Sequence, residues 1–345
     1  MKTRLIDTMP ERAPGAPLID GAGRRVTYLR LSVTDRCDLR CTYCMPERMS
    51  FLPKQDVLSF EELTLLADAF IDRGIRKLRI TGGEPLVRKD ILSLIERLGA
   101  RREAGQLDEI CLTTNGTRLA PYADDLKRHG VERINISLDT LGREKFAALT
   151  RRDVFADVMA GIAAAKAAGL KIKINTVALK GINEDEIPAL IEWAHGEGFD
   201  LSLIEVMPLG ENMSGRSDAF LSLEAVRERL NARWTLTPVS YSTGGPSRYS
   251  EVKETGGRVG FISPLSHNFC DTCNRVRMTC TGTLYTCLGH EGGVNLRDAI
   301  REGGDLSRVH NLLDEALGRK PARHDFAVEH IDTPATRRTM SETGG

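Results

Sequence analysis

From about residue 27 to residue 206, short β-branched runs alternate with amphipathic stretches of ten to sixteen residues. That alternation is what repeated βα units around a parallel sheet produce. Six strands are predicted: 28–33 (YLRLSV), 77–81 (KLRIT), 109–114 (EICLTT), 133–138 (RINISL), 171–179 (KIKINTVAL) and 201–207 (LSLIEVM). Their spacing averages about thirty-five residues, the size of one strand, one crossover helix and two loops. The helices between them carry end signals. Ser59 and Glu62 form an S-x-x-E capping box before ELTLLADAFIDRG, which stops at Gly74, and VFADVMAGIAAAKAAG closes at Gly169. A doubly wound sheet needs a topological switch, whereas an unbroken series of βα units curls into a barrel. The expectation is therefore an α/β fold, a partial (β/α)6 TIM-type barrel.

After residue 208 the pattern changes. Gly, Ser and Pro clusters (PLGENMSGRSD, STGGPSR, ETGGR) separate one helical stretch near 222–231 from extended runs such as RVGFIS. This part is expected to form an α+β extension that closes the barrel's open side. The domain reading is an N-terminal extension (1–26), the barrel (27–208), a C-terminal region (209–330) and a tail (331–345) that reads as exposed. No solenoid repeat is evident.

Charge adds exclusions. The 345 residues hold 48 Lys plus Arg against 48 Asp plus Glu, with 41% hydrophobic residues. A neutral balance argues against a broad footprint for nucleic acid or anionic lipid. The first residues, broken by charges and prolines, contain no apolar run long enough for a signal peptide or a membrane span. The expectation is a cytoplasmic protein with neither nucleic acid nor membrane as partner.

In a reducing compartment eight cysteines are not a disulfide framework, so their spacing carries the chemistry. Cys37, Cys41 and Cys44 follow directly on the first predicted strand, at the end of a barrel where such folds act. C-x3-C-x2-C offers three thiolates from one loop, which suits three irons of a cubane and leaves the fourth open. Structural zinc prefers four tetrahedral ligands, and no histidine is near. Cys270, Cys273 and Cys287 form a second trio, C-x2-C-x13-C. Here His267, three residues ahead, keeps a His/Cys3 zinc site open as an alternative. Cys111 and Cys280 lie outside both spacings and read as ordinary buried thiols.

The stretch CDLRCTYCMPE resembles the cluster loop of the radical S-adenosylmethionine superfamily, and Thr81 to Pro85 (TGGEP) resembles its glycine-rich cofactor segment. Gly82 and Gly83 would permit close backbone approach, and Glu84 could meet an ammonium group. The run FCDTCNRVRMTCTGTLYTCLGHEGGVNLRD is similar to the C-terminal segment of the GTP 3′,8-cyclases, the enzymes that begin molybdenum cofactor biosynthesis. The likeness runs in order from about Tyr28 to Asp298, with a terminal diglycine.

That resemblance implies two 4Fe-4S clusters, the first on Cys37, Cys41 and Cys44 and the second on Cys270, Cys273 and Cys287. It implies S-adenosyl-L-methionine contacts at Tyr43, Gly83, Ser137 and Met207. GTP contacts are implied at Arg30, Arg79, Thr113, Lys173, Arg275, Val276 and Arg277. No G-x-x-x-x-G-K-[ST] loop is present, so separated cations would have to serve the triphosphate. Gly344 and Gly345 match a tail that reaches into the family's active site, with Thr343 where the family has isoleucine. Ser202 stands where the family commonly has arginine, which predicts weakened activity unless another arginine substitutes.

The implied reaction begins with reductive cleavage of S-adenosylmethionine to a 5′-deoxyadenosyl radical. The radical takes hydrogen from C3′ of GTP, the C3′ radical adds to C8, and 3′,8-cyclo-7,8-dihydro-GTP results. The enzyme would be a lyase needing an electron donor and a downstream cyclic pyranopterin-forming enzyme, with room for a homodimer. Two other readings compete: another radical S-adenosylmethionine enzyme with an auxiliary cluster, such as a peptide maturase, and a non-catalytic zinc-binding module.

Overall fold

The computed structural model describes residues 15–210, 215–303 and 306–344. Twelve strands form one continuous sheet among the described residues. The first six are β1 (Tyr28–Ser32), β2 (Lys77–Thr81), β3 (Glu109–Thr114), β4 (Val131–Ser137), β5 (Lys171–Ala178) and β6 (Asp200–Glu205). They pair in sequence order and are all parallel, as the βα alternation predicts. The remaining six are β7 (Leu236–Pro238), β8 (Arg248–Val252), β9 (Gly257–Ile262), β10 (Arg275–Met278), β11 (Thr283–Tyr285) and β12 (Gly293–Asn295).

The six-stranded wall does not close on itself. Its two edges are extended by strands of the C-terminal region, with β9 parallel to β6 and β10 parallel to β1. The chain from Ser263 to Asn274 therefore passes from one edge of the sheet to the other, across the open side. Antiparallel hairpins finish both ends, β8 and β7 beyond β9, β11 and β12 beyond β10.

Successive side chains on a strand face opposite sides, and here the two sides differ in chemistry. Leu29, Leu31, Leu78, Ile80, Ile110, Leu112, Ile134, Ile136, Ile174, Leu201 and Leu203 are all buried in the main hydrophobic core. Each contributes about 1.5–3 kcal/mol by leaving water. The alternate positions, Tyr28, Arg30, Arg79, Asn135, Lys173 and Asn175, line a cavity on the concave side. A one-residue slip of any strand would exchange leucines for arginines, so register is strongly specified.

Helix Phe60–Asp72 shows how the local signals work. Ser59 Oγ accepts from the Glu62 amide at 3.1 Å and Glu62 Oε2 accepts from the Ser59 amide at 2.7 Å, satisfying two donors that the helix leaves orphaned. Its buried face, Leu63, Leu66, Ala67 and Phe70, packs into the core. The same Glu62 pairs with Arg301 at 2.6 Å, tying the barrel to the C-terminal region. Helices Phe155–Ala167 and Leu223–Asn231 also stand where the sequence places them.

Candidate active site

Two adjoining cavities occupy the concave side, each carrying one cysteine trio. They share a wall made by Asn175, Ile204, Met207 and Met340.

The first cavity lies at the C-terminal ends of the strands. The loop after β1 brings Cys37, Cys41 and Cys44 to it, and the loop after β2 brings Gly82 and Gly83. These two loops are laced together. The Gly83 amide donates to Thr34 O at 2.7 Å and the Glu84 amide to Arg36 O at 2.7 Å. A side chain on Gly83 would overlap the Arg36 carbonyl, and one on Gly82 would sit 2.7 Å from Thr34 O. The glycines thus admit the chain's own cysteine loop. Glu84 departs from expectation. It is wholly buried and does not line the cavity. Its carboxylate accepts from the Asn115 amide at 2.6 Å, Thr114 Oγ1 at 2.8 Å and the Leu86 amide at 3.0 Å, so it braces the loop after β3. Burial pushes its carboxyl up to about 7.

Tyr43 and Ser137 line the first cavity, and Met207 faces both. The Tyr43 hydroxyl donates to Asp139 Oδ2 at 2.6 Å, and Asp139 Oδ1 accepts from the Val177 amide at 2.8 Å. Burial pushes Asp139 up to about 6. Burial also raises the three thiols, Cys37 to about 12 with Glu84 adding to it, Cys44 to about 11, and Cys41 well above the usual range. No cationic side chain among the described residues hydrogen-bonds these sulfurs, so a metal centre would have to supply the positive charge that makes them thiolates. The donor set fits an iron–sulfur cluster. Among the described residues no three His, Cys, Asp or Glu side chains converge on one metal ion.

The second cavity is cationic. Arg30, Arg79, Lys173, Arg275 and Arg277 line it together with Cys270, Cys273 and Cys287. Glu109 is paired with Lys77 at 2.5 Å and Arg133 at 3.2 Å, whereas Arg79, Lys173, Arg275 and Arg277 form no ion pair among the described residues. Burial pulls Arg30 down to about 10, with Arg79 and Arg275 adding repulsion, and pulls Lys173 and Arg277 down as well. At Arg79 burial is outweighed by Tyr28, Cys111 and Glu109 and the shift is upward. A chamber of buried and half-buried cations with no carboxylate among its lining residues is complementary to a polyanion. Thr113 lies in the first cavity, but its Oγ1 accepts from Arg79 at 3.3 Å, so it bridges toward the second. Val276 is out of phase with its neighbours. Its side chain is 1% exposed in the outer core, which leaves only its backbone to face a ligand. The second trio differs electrostatically from the first. Burial raises Cys287, but at Cys273 burial is outweighed by Arg275 and Lys320 and the thiol is pulled down. His267 is exposed and lines a separate cavity from the cysteines, so the His/Cys3 set is not assembled.

The tail is not an exposed end. Thr336, Ser341 and Thr343 are buried, and the Gly344 carbonyl accepts from Arg277 at 2.7 Å and Arg30 at 3.3 Å. Thr343, in place of isoleucine, turns its hydroxyl back to Thr339 O at 3.1 Å. Gly345 lies outside the described residues. Ser202 is fully buried, with its hydroxyl 2.9 Å from that of Ser247. Cys111 and Cys280 are buried thiols, as expected.

Residues 31–194 match the Radical SAM superfamily and residues 199–326 match Molybdenum Cofactor Synthesis C. The chain is 62% identical over 328 residues to a GTP 3′,8-cyclase of Erythrobacter litoralis (strain HTCC2594), covering 95% of this chain and 98% of that protein. A GTP 3′,8-cyclase of Rhizobium meliloti (strain 1021) is 58% identical over 341 residues, covering 98% and 97%. The chain belongs to the GTP 3′,8-cyclase family. Among solved structures, Streptococcus suis SuiB bound to S-adenosylmethionine is similar in fold, with a TM-score of 0.57, 15% identity, and coverage of 92% of this chain and 77% of that one. Native anSMEcpe with bound AdoMet superposes with a TM-score of 0.56 at 18% identity, covering 75% and 74%. Radical S-adenosylmethionine chemistry and two 4Fe-4S clusters come with membership of the GTP 3′,8-cyclase family.

Several cavity residues escape a motif-based reading. Asp139 sits two residues after Ser137 and Asn175 two after Lys173, so strand parity alone would have found Asn175. Met340, which lines both cavities, and Lys320, which lies outside them and contacts Cys273 Sγ, come from the C-terminal segment, where no local pattern marks a site.

Proposed function

We propose that this chain cyclises GTP to 3′,8-cyclo-7,8-dihydro-GTP as the first step of molybdenum cofactor biosynthesis. The observation that carries the reading is the pair of adjoining cavities, a cysteine trio in each and the cations confined to the second. Cys37, Cys41 and Cys44 would hold the first cluster, and Cys270, Cys273 and Cys287 the second. When bound, the first cluster with S-adenosylmethionine supplies one-electron chemistry, and the second supplies an open iron to the purine.

The remaining roles belong to side chains. Arg30, Arg79, Lys173, Arg275 and Arg277 bind the triphosphate and fix the ribose with respect to the first cavity; orientation of this kind is a large share of the rate gain. Tyr43, Gly83, Ser137 and Met207 line the place for S-adenosylmethionine. Ile204, Met207 and Met340, the apolar part of the shared wall, keep water from the boundary where the two ligands meet. Gly344 reaches the cation cluster from the C-terminus.

An electron donor and a downstream enzyme that rearranges the cyclised nucleotide belong to the same reading, as does a cytoplasmic location, and the chain has room for a homodimer. No described helix is long and apolar enough to cross a membrane. The deciding experiment is an anaerobic assay with GTP, S-adenosylmethionine and dithionite. Consumption of GTP with release of 5′-deoxyadenosine supports the proposal. Release of 5′-deoxyadenosine with GTP unchanged would point to another substrate.

A further inference from the structure

Lys320 lies just beyond helix Leu306–Gly318 and is only 6% exposed. Its Nζ donates to Thr286 O at 2.6 Å, to Arg275 O at 3.2 Å and to Cys273 Sγ at 3.8 Å. An ammonium group has three donors and no acceptor, and these three acceptors use all of them. No carboxylate pairs with it among the described residues. The turn that carries it is braced: Arg24 donates to Pro321 O, Ala322 O and Cys270 O, each at 2.7 Å. Both the lysine and the second cysteine loop are thereby held against one arginine.

The groups that reach the two sets of sulfurs differ. Asp38 near the first is paired with Arg118 and Asp271 near the second with Arg323. The side chain that reaches a sulfur of the first trio is a neutral amide, while those that reach the second are cationic. Carboxylates stand near the first, where Asp38 and Asn115 hydrogen-bond and Asn115 Nδ2 in turn lies 3.7 Å from Cys37 Sγ, while Asp139 holds Tyr43 between Cys41 and Cys44. At the second trio Arg275 Nη2 lies 3.9 Å from Cys273 Sγ, on the same sulfur as Lys320. Arg275 faces the substrate cavity, whereas Lys320 is outside it and is tied down by carbonyls. Hydrogen bonds to ligand sulfurs and local charge are among the chief determinants of an iron–sulfur potential. One-electron reduction adds a negative charge to the cluster, which a fixed neighbouring cation favours.

We propose that Lys320 is a positioning residue for the second cluster, fixing the Cys273 sulfur and biasing that cluster toward its reduced state. The inference rests on the assignment of Cys270, Cys273 and Cys287 as cluster ligands. The test is an EPR-monitored redox titration of anaerobically reconstituted full-length protein, in a Cys37→Ser/Cys41→Ser/Cys44→Ser background that leaves only the second cluster. Lys320→Gln should move the midpoint to a more negative potential with iron content retained, and Lys320→Arg should stay near the parent value. An unchanged potential in Lys320→Gln overturns the proposal, as does an equal shift in both variants, which would mean packing and not charge. If Lys320→Gln fails to load iron, loading in Lys320→Arg still assigns the requirement to charge, and failure in both overturns it. A parent background that loads no cluster at all would instead overturn the ligand assignment beneath it.

Discussion

The Arg277 guanidinium donates to the carbonyl oxygen of Gly344 at 2.7 Å, so a wall residue of the cationic chamber is engaged by the chain's own C-terminus. Gly344 has φ +78°, and a side chain there would overlap Thr81 Oγ1. Only glycine fits this approach. A hydrogen bond to a charged group is worth about 1.5–3 kcal/mol, equivalent to roughly ten- to a hundredfold in rate. Deletion of Gly344 and Gly345 is expected to lower kcat by about that factor while iron content and circular dichroism stay unchanged. Gly344→Ala should behave alike. Turnover at the parent rate in the deletion would remove the tail from the mechanism.

Asp139 predicts a pH dependence whose sign is set by burial. Its carboxyl is pushed from an ordinary 3.8 up to about 6, so the folded chain keeps a proton that the unfolded chain has lost. Stability is greatest below 3.8 for this group and falls as pH rises through 6, by about 3 kcal/mol in all. Denaturant unfolding of cluster-free protein between pH 4 and 7 should show the decline. Asp139→Asn should remove most of it below pH 6. Glu84, raised to about 7, has the same sign and remains in the variant, so a decline between pH 5 and 7 should persist. A profile identical in the two proteins would contradict the assignment.

The barrel strands were legible because apolar runs alternate with helical stretches, whereas the cation positions came from the family resemblance. Strand parity agrees with them, since Arg30, Arg79 and Lys173 interrupt apolar runs at positions that face inward once Leu29, Leu78 and Ile172 face the helices. Cysteine spacing was legible because each trio is local in the chain. Contacts made by distant segments were not. Nothing in TGGEP says that Glu84 turns away to Asn115, since that depends on the loop after β3. Likewise PATRRTMSETGG has the composition of a frayed end, and its docking depends on two arginines that are strands away. Val276 illustrates a motif read as a unit whose middle residue, by parity, belongs to the core.

Gly83 should prove a cluster-assembly position. Its neighbour across the loop is the Arg36 carbonyl, one residue before Cys37, and the two loops exchange backbone hydrogen bonds at 2.7 Å. Gly83→Ala must push the cysteine loop away, at an overpacking cost of about 1–3 kcal/mol. The expected outcome is loss of about half the iron per chain, from the first cluster only, because the second trio is held by the separate Arg24 and Lys320 contacts. Full iron content in this variant would show that the loop yields without consequence.

Ser202 tests whether a missing arginine is a deficit. The serine hydroxyl is 2.9 Å from Ser247 Oγ, and Gly260 lies opposite on β9, where even a methyl group would collide with Ser247. On the neighbouring strand Lys173 sits 5.6 Å from the ring of Tyr249, so a cation already stands close by. The space that an arginine would need is filled by Ser247 and Tyr249. Ser202→Arg is therefore expected to destabilise by about 1–3 kcal/mol or more, since the guanidinium would be overpacked and unpaired, and to gain no affinity for GTP or S-adenosylmethionine. Ser247→Gly added to it should recover part of the stability by opening space. Ser202→Ala removes one hydrogen bond and should cost about 1 kcal/mol with turnover little changed. Thermal unfolding together with nucleotide titration decides the matter: an arginine variant that folds as well as the parent and binds either ligand more tightly would show that the serine is a true loss, not a repacked wall.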